Sequence, residues 1–344
     1  MPQTIFMKKI LTLAALLFPL FILAQADGTP QSLTPQQRND TLTRVYANTA
    51  CGLNYVKVSE RLGQRFVPIG VPQPAALAVT GMPVCSAVDT AFVWFELLGT
   101  APPAPVITLT NPQGQSLAVQ SQLVGSSVDV CWGMTGTHVY RADVTSIIST
   151  NGVYTISGIP VDSTSPAQNT VDAEGATRLI VYRDPTGSYT GTLLIDDGAA
   201  TVAGGALNHT MTGISACANS TYGNAFMLVG DFQLDDSMSF NGNYIPFTFN
   251  WWNDITDASV QVTTTQTSFS YDMNSGGDCY TFAVAGLYFQ TSCQSCVAVN
   301  NPINFNSAVV PATCNSNGSI TLSNITGGTG PYSFVWSTNP AQTT

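Results

Sequence analysis

Ala91-Phe92-Val93-Trp94-Phe95-Glu96-Leu97-Leu98 is an apolar run that decides the fold class, because similar runs recur along the chain between turn residues. Val106–Leu109, Val128–Trp132, Val153–Ile156, Leu179–Tyr182, Thr192–Ile195, Ala225–Val229, Ser259–Thr263 and Tyr280–Phe289 are rich in Val, Ile, Thr, Tyr and Phe, and Gly, Pro, Asn and Asp clusters bound them. Most span four to ten residues. That pattern predicts strands of a sandwich or barrel. Helical spacing is confined to Ala142–Ser149, where Val144, Ile147 and Ile148 fall at i, i+3 and i+4, enough for a turn or two.

The runs fall into two copies of one order. Cys85, Ala91-Phe92-Val93-Trp94, Ile107–Asn111, Cys131-Trp132, Asp143-Val144-Thr145, Asn151–Thr155 and Arg178–Tyr182 form the first. Cys217, Ala225–Leu228, Met238–Gly242, Trp251-Trp252, Asp254-Ile255-Thr256, Phe269–Tyr271 and Tyr280–Val284 form the second. The reading is an all-β fold of tandem β-sandwich, jelly-roll-like halves at 51–200 and 201–296.

The 344 residues suffice for about two domains, and charged residues make up only 9% against roughly 25% in ordinary globular proteins. A net charge of −10 disfavours phosphate backbones, so nucleic acid is excluded as a partner. Low charge with ordinary hydrophobicity also excludes a disordered chain. Residues 1–26 read as a signal peptide: Lys8 and Lys9, an apolar core from Ile10 to Leu23 broken by Thr12 and Pro19, and Ala24-Gln25-Ala26 as cleavage site, with Met7 an alternative start. The core is shorter than the roughly 20 residues of a membrane span. A secreted chain that does not span the membrane is expected, and loss of Lys8 and Lys9 takes its charge to −12. Residues 27–50, with Pro30, Pro35 and several Gln, read as a polar leader.

Export settles how the eight cysteines are read. In an oxidising compartment Cys51, Cys85, Cys131, Cys217, Cys279, Cys293 and Cys296 are disulfide candidates, with connectivity open. Cys293-Gln294-Ser295-Cys296 has redox spacing but closes a β domain where no helix N-terminus would activate a thiol.

Tyr140–Thr145, Asn151–Tyr154, Gly175–Pro185, Val229-Gly230-Asp231 and Phe240-Asn241-Gly242 together resemble a β-rich domain of unknown function from large secreted prokaryotic surface proteins, over about residues 50–292. Thr177-Arg178 departs from it, standing where smaller or apolar residues are usual. Pro311–Cys314, Asn317–Leu322, Gly327–Trp336 and Gln342-Thr343-Thr344 resemble the opening of an SprB-type repeat, found in tandem in giant surface adhesins of gliding, Bacteroidetes-type bacteria. Asn317-Gly318 is a tight-turn dipeptide, and Tyr332, Phe334 and Trp336 alternate onto one strand face. The resemblance implies a linker at 297–308, then a truncated Ig-like repeat from 309 to 344. It lacks its later strands and a partner for Cys314, as expected of the start of a longer protein.

Catalytic signatures are sparse. His138 and His209 belong to no metal motif, Gly213-Ile214-Ser215-Ala216-Cys217 misses a nucleophile elbow, and Glu60, Glu96 and Glu174 single out no acid pair. No enzyme is expected. Two binding candidates stand: calcium at Asp231, Asp235 and Asp236, with Asn224 and Asn241 adding neutral oxygens, and ligand stacking on Trp251 or Trp252. The solvated-turn reading of those aspartates, and of Asp196-Asp197-Gly198, stays open. The expected function is a secreted surface adhesin of the gliding-motility kind, the N-terminal body presenting itself to an extracellular surface, glycan or protein ligand on a repeat stalk; the alternative is a secreted carbohydrate-binding or carbohydrate-active protein.

Overall fold

The computed structural model describes residues 41–62, 72–100, 104–128, 134–161, 171–232, 237–246, 250–257, 259–293, 296, 303–326, 334–336 and 342–343. The expected signal peptide lies outside them. The strands are β1 (Thr43–Cys51), β2 (Leu53–Arg61), β3 (Ala75–Val79), β4 (Ala87–Leu98), β5 (Val106–Thr110), β6 (Ser116–Gln120), β7 (Gln122–Ser127), β8 (Thr137–Asp143), β9 (Gly152–Ser157), β10 (Asp172–Arg183), β11 (Thr190–Thr212) and β12 (Tyr222–Phe232). They continue as β13 (Ser237–Phe240), β14 (Asn243–Tyr244), β15 (Asn250–Asp257), β16 (Ser268–Thr291), β17 (Asn304–Val310), β18 (Ser319–Thr326), β19 (Val335–Trp336) and β20 (Gln342–Thr343). The helical spacing at 142–149 yields one 3-10 turn, Thr145–Ile147.

Two antiparallel jelly rolls stand back to back. In the first, an inner sheet ordered β2-β10-β4-β8-β7 faces an outer sheet ordered β3-β9-β5-β6. With β7 set aside at the inner sheet's edge, each remaining four-strand set places its chain-order first strand beside the fourth, then the second and third. The second jelly roll repeats that order in β11-β16-β12-β15, which form its near sheet with β1 added beside β11, and the far ends of β11 and β16 continue with β13 and β14 as the other. At 23 and 24 residues, β11 and β16 exceed the usual 3–10. Bulges between Asp197 and Ala200 and between Ala203 and Gly205 break the register, and there the strands pass from one sheet to the other.

Three cores follow. Leu77, Ile107, Tyr154 and Ile156 of the outer sheet meet Ala91, Val93, Phe95 and Ile180 of the inner one. Phe92, Trp94 and Leu179 turn the opposite way, against Ile195, Phe226, Trp252 and Tyr288 of the second jelly roll. Met227, Phe240, Phe269, Tyr271 and Phe282 fill the second sandwich itself. Every residue from Ala91 to Leu98 is buried, because the inner sheet is covered on both faces; its strand therefore reads as a continuous apolar run and not an alternating one.

Several expectations change. β1 occupies most of the second half of the expected leader and pairs with β11 from Thr43↔Asp197 to Cys51↔Thr190. Its half-exposed edge position tolerates the polar residues that made it read as linker. β11 runs without a break through the expected boundary at Ala200–Thr201, so the chain passes between jelly rolls at 184–189, ahead of Thr190. Ser259–Thr263 is an irregular ridge, touching the sheet by one bridge, Gly223↔Ser259. Of the expected Val128–Trp132 strand, only Val128 is described, just beyond β7.

β17 and β18 form a separate two-stranded sheet that starts within the expected linker. Their chain reversal lies at the Thr313↔Ser316 bridge, while Gly318 packs where a Cβ would sit 2.8 Å from the Val310 carbonyl oxygen. Ile303, Phe305, Val309, Val310 and Ile320 are exposed on this pair. β19 pairs with β20; Phe334 precedes it and Tyr332 lies outside the described residues.

Candidate functional site

The expected ligand residues are best placed first. Trp252 is 2% exposed, and its indole Nε1–H donates to Thr177 Oγ1 at 2.8 Å between the jelly rolls. Gly175 makes the room: a Cβ there would lie 2.4 Å from Trp252 Cγ. Trp252 is an interior anchor and is unavailable for stacking on a ligand, while the Trp251 side chain lies outside the described residues. Asp235, Asp236 and the Asp231 side chain lie there too. Asn224, the proposed neutral ligand, stands seven residues from Asp231 on β12, roughly 23 Å along a strand. Its Oδ1 also accepts the Tyr55 hydroxyl at 2.9 Å, so it cannot join an ion held at Asp231. Among the described residues no group of three His, Cys, Asp or Glu side chains could hold a metal.

Asp196 and Asp197 are buried neighbours on β11, facing opposite sides, and not turn residues. Asp196 accepts from Arg44 and pairs with His209 Nε2 at 3.0 Å. Burial raises its pKa, but His209 and Arg44 outweigh that and hold the carboxyl below the ordinary carboxylate value. Asp197 accepts from Trp94 Nε1 at 2.9 Å and from Arg141; here burial prevails and its pKa is raised. His138 is tied at both ring nitrogens, Nδ1 to Ser126 Oγ at 2.8 Å and Nε2 to the Gly99 carbonyl at 3.0 Å, and burial lowers its pKa. Glu96 and Glu174 come onto the neighbouring strands β4 and β10 by a bulge the sequence does not announce, at 0% and 3% exposure.

The cysteines divide. Cys51 bonds Cys296 and Cys217 bonds Cys293, so the two ends of the Cys293-Gln294-Ser295-Cys296 spacing take different partners. Both bonds flank the end of β16: one reaches β1, the other the segment before β12. Cys85, a disulfide candidate by sequence, is an exposed free thiol at a positive φ of 66°, as is Cys314 an exposed free thiol. Cys131 and the Cys279 side chain lie outside the described residues.

What sequence reasoning missed is the ridge at Ser259–Gln261. It separates two clefts of about 320 and 290 Å³. Ser220 N–H donates to the Val262 carbonyl at 2.8 Å, Val262 N–H returns to Ser220 Oγ at 2.9 Å, and Thr264 N–H reaches Asn219 Oδ1 at 3.2 Å. Gly223 allows the approach, since a Cβ there would fall 2.0 Å from the Val260 carbonyl oxygen. The larger cleft is walled by the β13–β14 turn, where Asn241 and Gly242 take φ of 50° and 81°, the left-handed geometry an Asn-Gly hairpin turn needs. Phe240 and Phe269, buried beneath, floor it. Tyr244 on this wall is 66% exposed; Tyr222, on the smaller cleft, is 44% exposed with its ring edge-on to Tyr288 at 6.2 Å. The only legible signal was Asn241-Gly242; the ridge itself read as a strand.

Among solved structures, wild-type BuGH86 in complex with neoagarooctaose is 12% identical, over 73% of this chain and 34% of that one, with a TM-score of 0.19. The T=1 particles derived from Infectious Bursal Virus give 10% identity over 74% and 71%, with a TM-score of 0.22. This chain thus spans about a third of the length of BuGH86. No curated protein matches. No helix among the described residues is long and apolar enough to cross a membrane. Residues 306–341, beginning within β17, match the model of the SprB repeat family.

Proposed function

We propose that this chain is a secreted, non-enzymatic adhesin module of the gliding-motility kind, in which the double jelly roll is presented to the outside and the SprB-type segment begins a stalk. The SprB match at 306–341 carries the reading. The end of β16 supports it: the chain leaves the body at Cys293 and Cys296, each covalently tied to a different flank of the sheet, where a stalk under load would otherwise peel the strand away. Disulfides also suit an exported protein. The test is labelling of intact cells with antibody raised against residues 41–293. Surface labelling that protease treatment of whole cells removes is expected, together with reduced attachment when the gene is deleted; antigen confined to the soluble cell interior overturns the proposal.

A further inference from the structure

We infer that the two clefts beside Ser259–Gln261 form one binding site for a neutral glycan. The inference deepens the adhesin reading by naming what the body would grip. Both clefts border the same three residues, so a chain of repeating units can cross the ridge and place successive units on either side. Each volume is about that of the smallest ligand sites, roughly 300 Å³. Each cleft also offers one exposed tyrosine, Tyr244 or Tyr222, whose negative π face suits the weakly positive C–H face of a sugar ring.

Apart from Val260, Gly223 and the phenylalanine floor, the remaining lining is hydroxyl and carboxamide. The side chains of Asn241 and Gln261 are exposed and accept or donate no hydrogen bond to another described residue, so their donors and acceptors stay available to sugar hydroxyls. Among the described residues no charged side chain lines either cleft, so an anionic polysaccharide meets no described counter-charge there. A protein partner fits less well, because a stable interface needs about 800 Å² per side around an apolar centre, and the exposed surface here is amides and hydroxyls. The site is preorganised: the ridge is pinned to residues 219 and 220, the hairpin turn is fixed by Asn241 N–H donating to the Ser270 carbonyl at 2.8 Å, and the floor is packed aromatic core. Little conformational freedom is lost when a ligand enters such a site.

The experiment titrates the purified full chain with neutral hexaoses of gluco, manno, xylo and galacto configuration, with heparin as the anionic comparison. Binding to at least one neutral hexaose is expected, insensitive to raising salt from about 50 to 500 mM because no ion pair forms. Tyr222→Ala and Tyr244→Ala should each weaken it about tenfold, Tyr244→Trp should restore it, and melting temperatures should stay at the wild-type value because both rings are exposed. Failure of a normally melting wild type to bind any neutral hexaose overturns the inference. So do wild-type affinity in the Tyr222→Ala/Tyr244→Ala double variant, salt-sensitive preference for heparin, and capture of a protein that survives the double substitution. Binding is read in solution, so absence from the cell surface would refute the adhesin proposal and leave this result untouched.

Discussion

The two jelly rolls share a strand order and differ in how they are closed. The first builds its sheets from separate strands joined by loops, and carboxamides pin those loops by imitating a backbone pair. Gln73 Nε2 donates to the Ile159 carbonyl at 2.7 Å while Ile159 N–H returns to Gln73 Oε1 at 3.0 Å; Asn151 treats Met82 the same way, at 2.7 and 3.0 Å. The second makes both sheets from the bent strands β11 and β16, so freeing one end of β16 would open both layers. Its described covalent fastenings sit at that end. A fold closed by loops can be secured locally, whereas one closed by shared strands must be secured where a shared strand ends.

Breaking the covalent side should have the largest effect. Cys51–Cys296 and Cys217–Cys293 close segments 245 and 76 residues apart in sequence, and each bond stabilises by about 2–5 kcal/mol. The double variant Cys51→Ser/Cys296→Ser is expected to lower the melting temperature and to raise amide exchange first along β16 and β1, while β3, β5 and β9 keep their protection. Uniform loss of protection would show that the two sandwiches open as one unit.

Trp252→Ala tests the seam that both jelly rolls share. Loss of a buried tryptophan and its bond to Thr177 should cost about 3–5 kcal/mol, measured by denaturant unfolding, and should deprotect β2 and β10 of the first jelly roll as well as β15 of the second. An effect confined to β15 would mean that the seam does not couple them. On the first jelly roll alone, Asn151→Ala should cost about 1–2 kcal/mol, since it leaves the Met82 amide and carbonyl unpaired. Its loss of protection should stay near Met82 and β9.

The smallest effect sharpens the comparison on a single strand. Asp196 has a lowered pKa, so its contribution is present above the unfolded value of about 3.9 and lost as pH falls through the folded value. Asp197 has a raised pKa, so its contribution is present below that unfolded value and lost as pH rises through the folded one. Asp196→Asn should therefore flatten the acid limb of stability against pH, and Asp197→Asn should remove a decline above about pH 4. Stability curves that tilt the same way in both variants would contradict the opposite environments of the two faces.

Apolar periodicity made the all-β class legible, along with most long central strands and the doubling of the pattern, because burial of such runs depends only on local composition. The SprB-type segment was readable from its own motif. Exposed or polar strands such as β1, β3 and β6 carry little apolar signal, and their places come from partners far away in the chain. The departure at Arg178 shows the same limit: its fully buried guanidinium donates to the Leu77 carbonyl at 2.7 Å and lies 4.0 Å from the Tyr154 ring centroid, partners that sequence spacing cannot supply.

Composition and pattern by themselves thus determined a low-charge double sandwich ahead of a repeat. Tertiary structure alone decided that Trp252 is interior, that Asp196 and Asp197 are paired and buried, that Cys293 and Cys296 part company, and that Ser259–Gln261 stands up as a ridge between two clefts. The physical reason is that hydrophobic patterning specifies which face of a strand is buried, while a binding surface depends on which distant segments that burial brings together. Gly223 shows it at one residue: its missing side chain has no meaning along the sequence and seats the Val260 carbonyl in the fold.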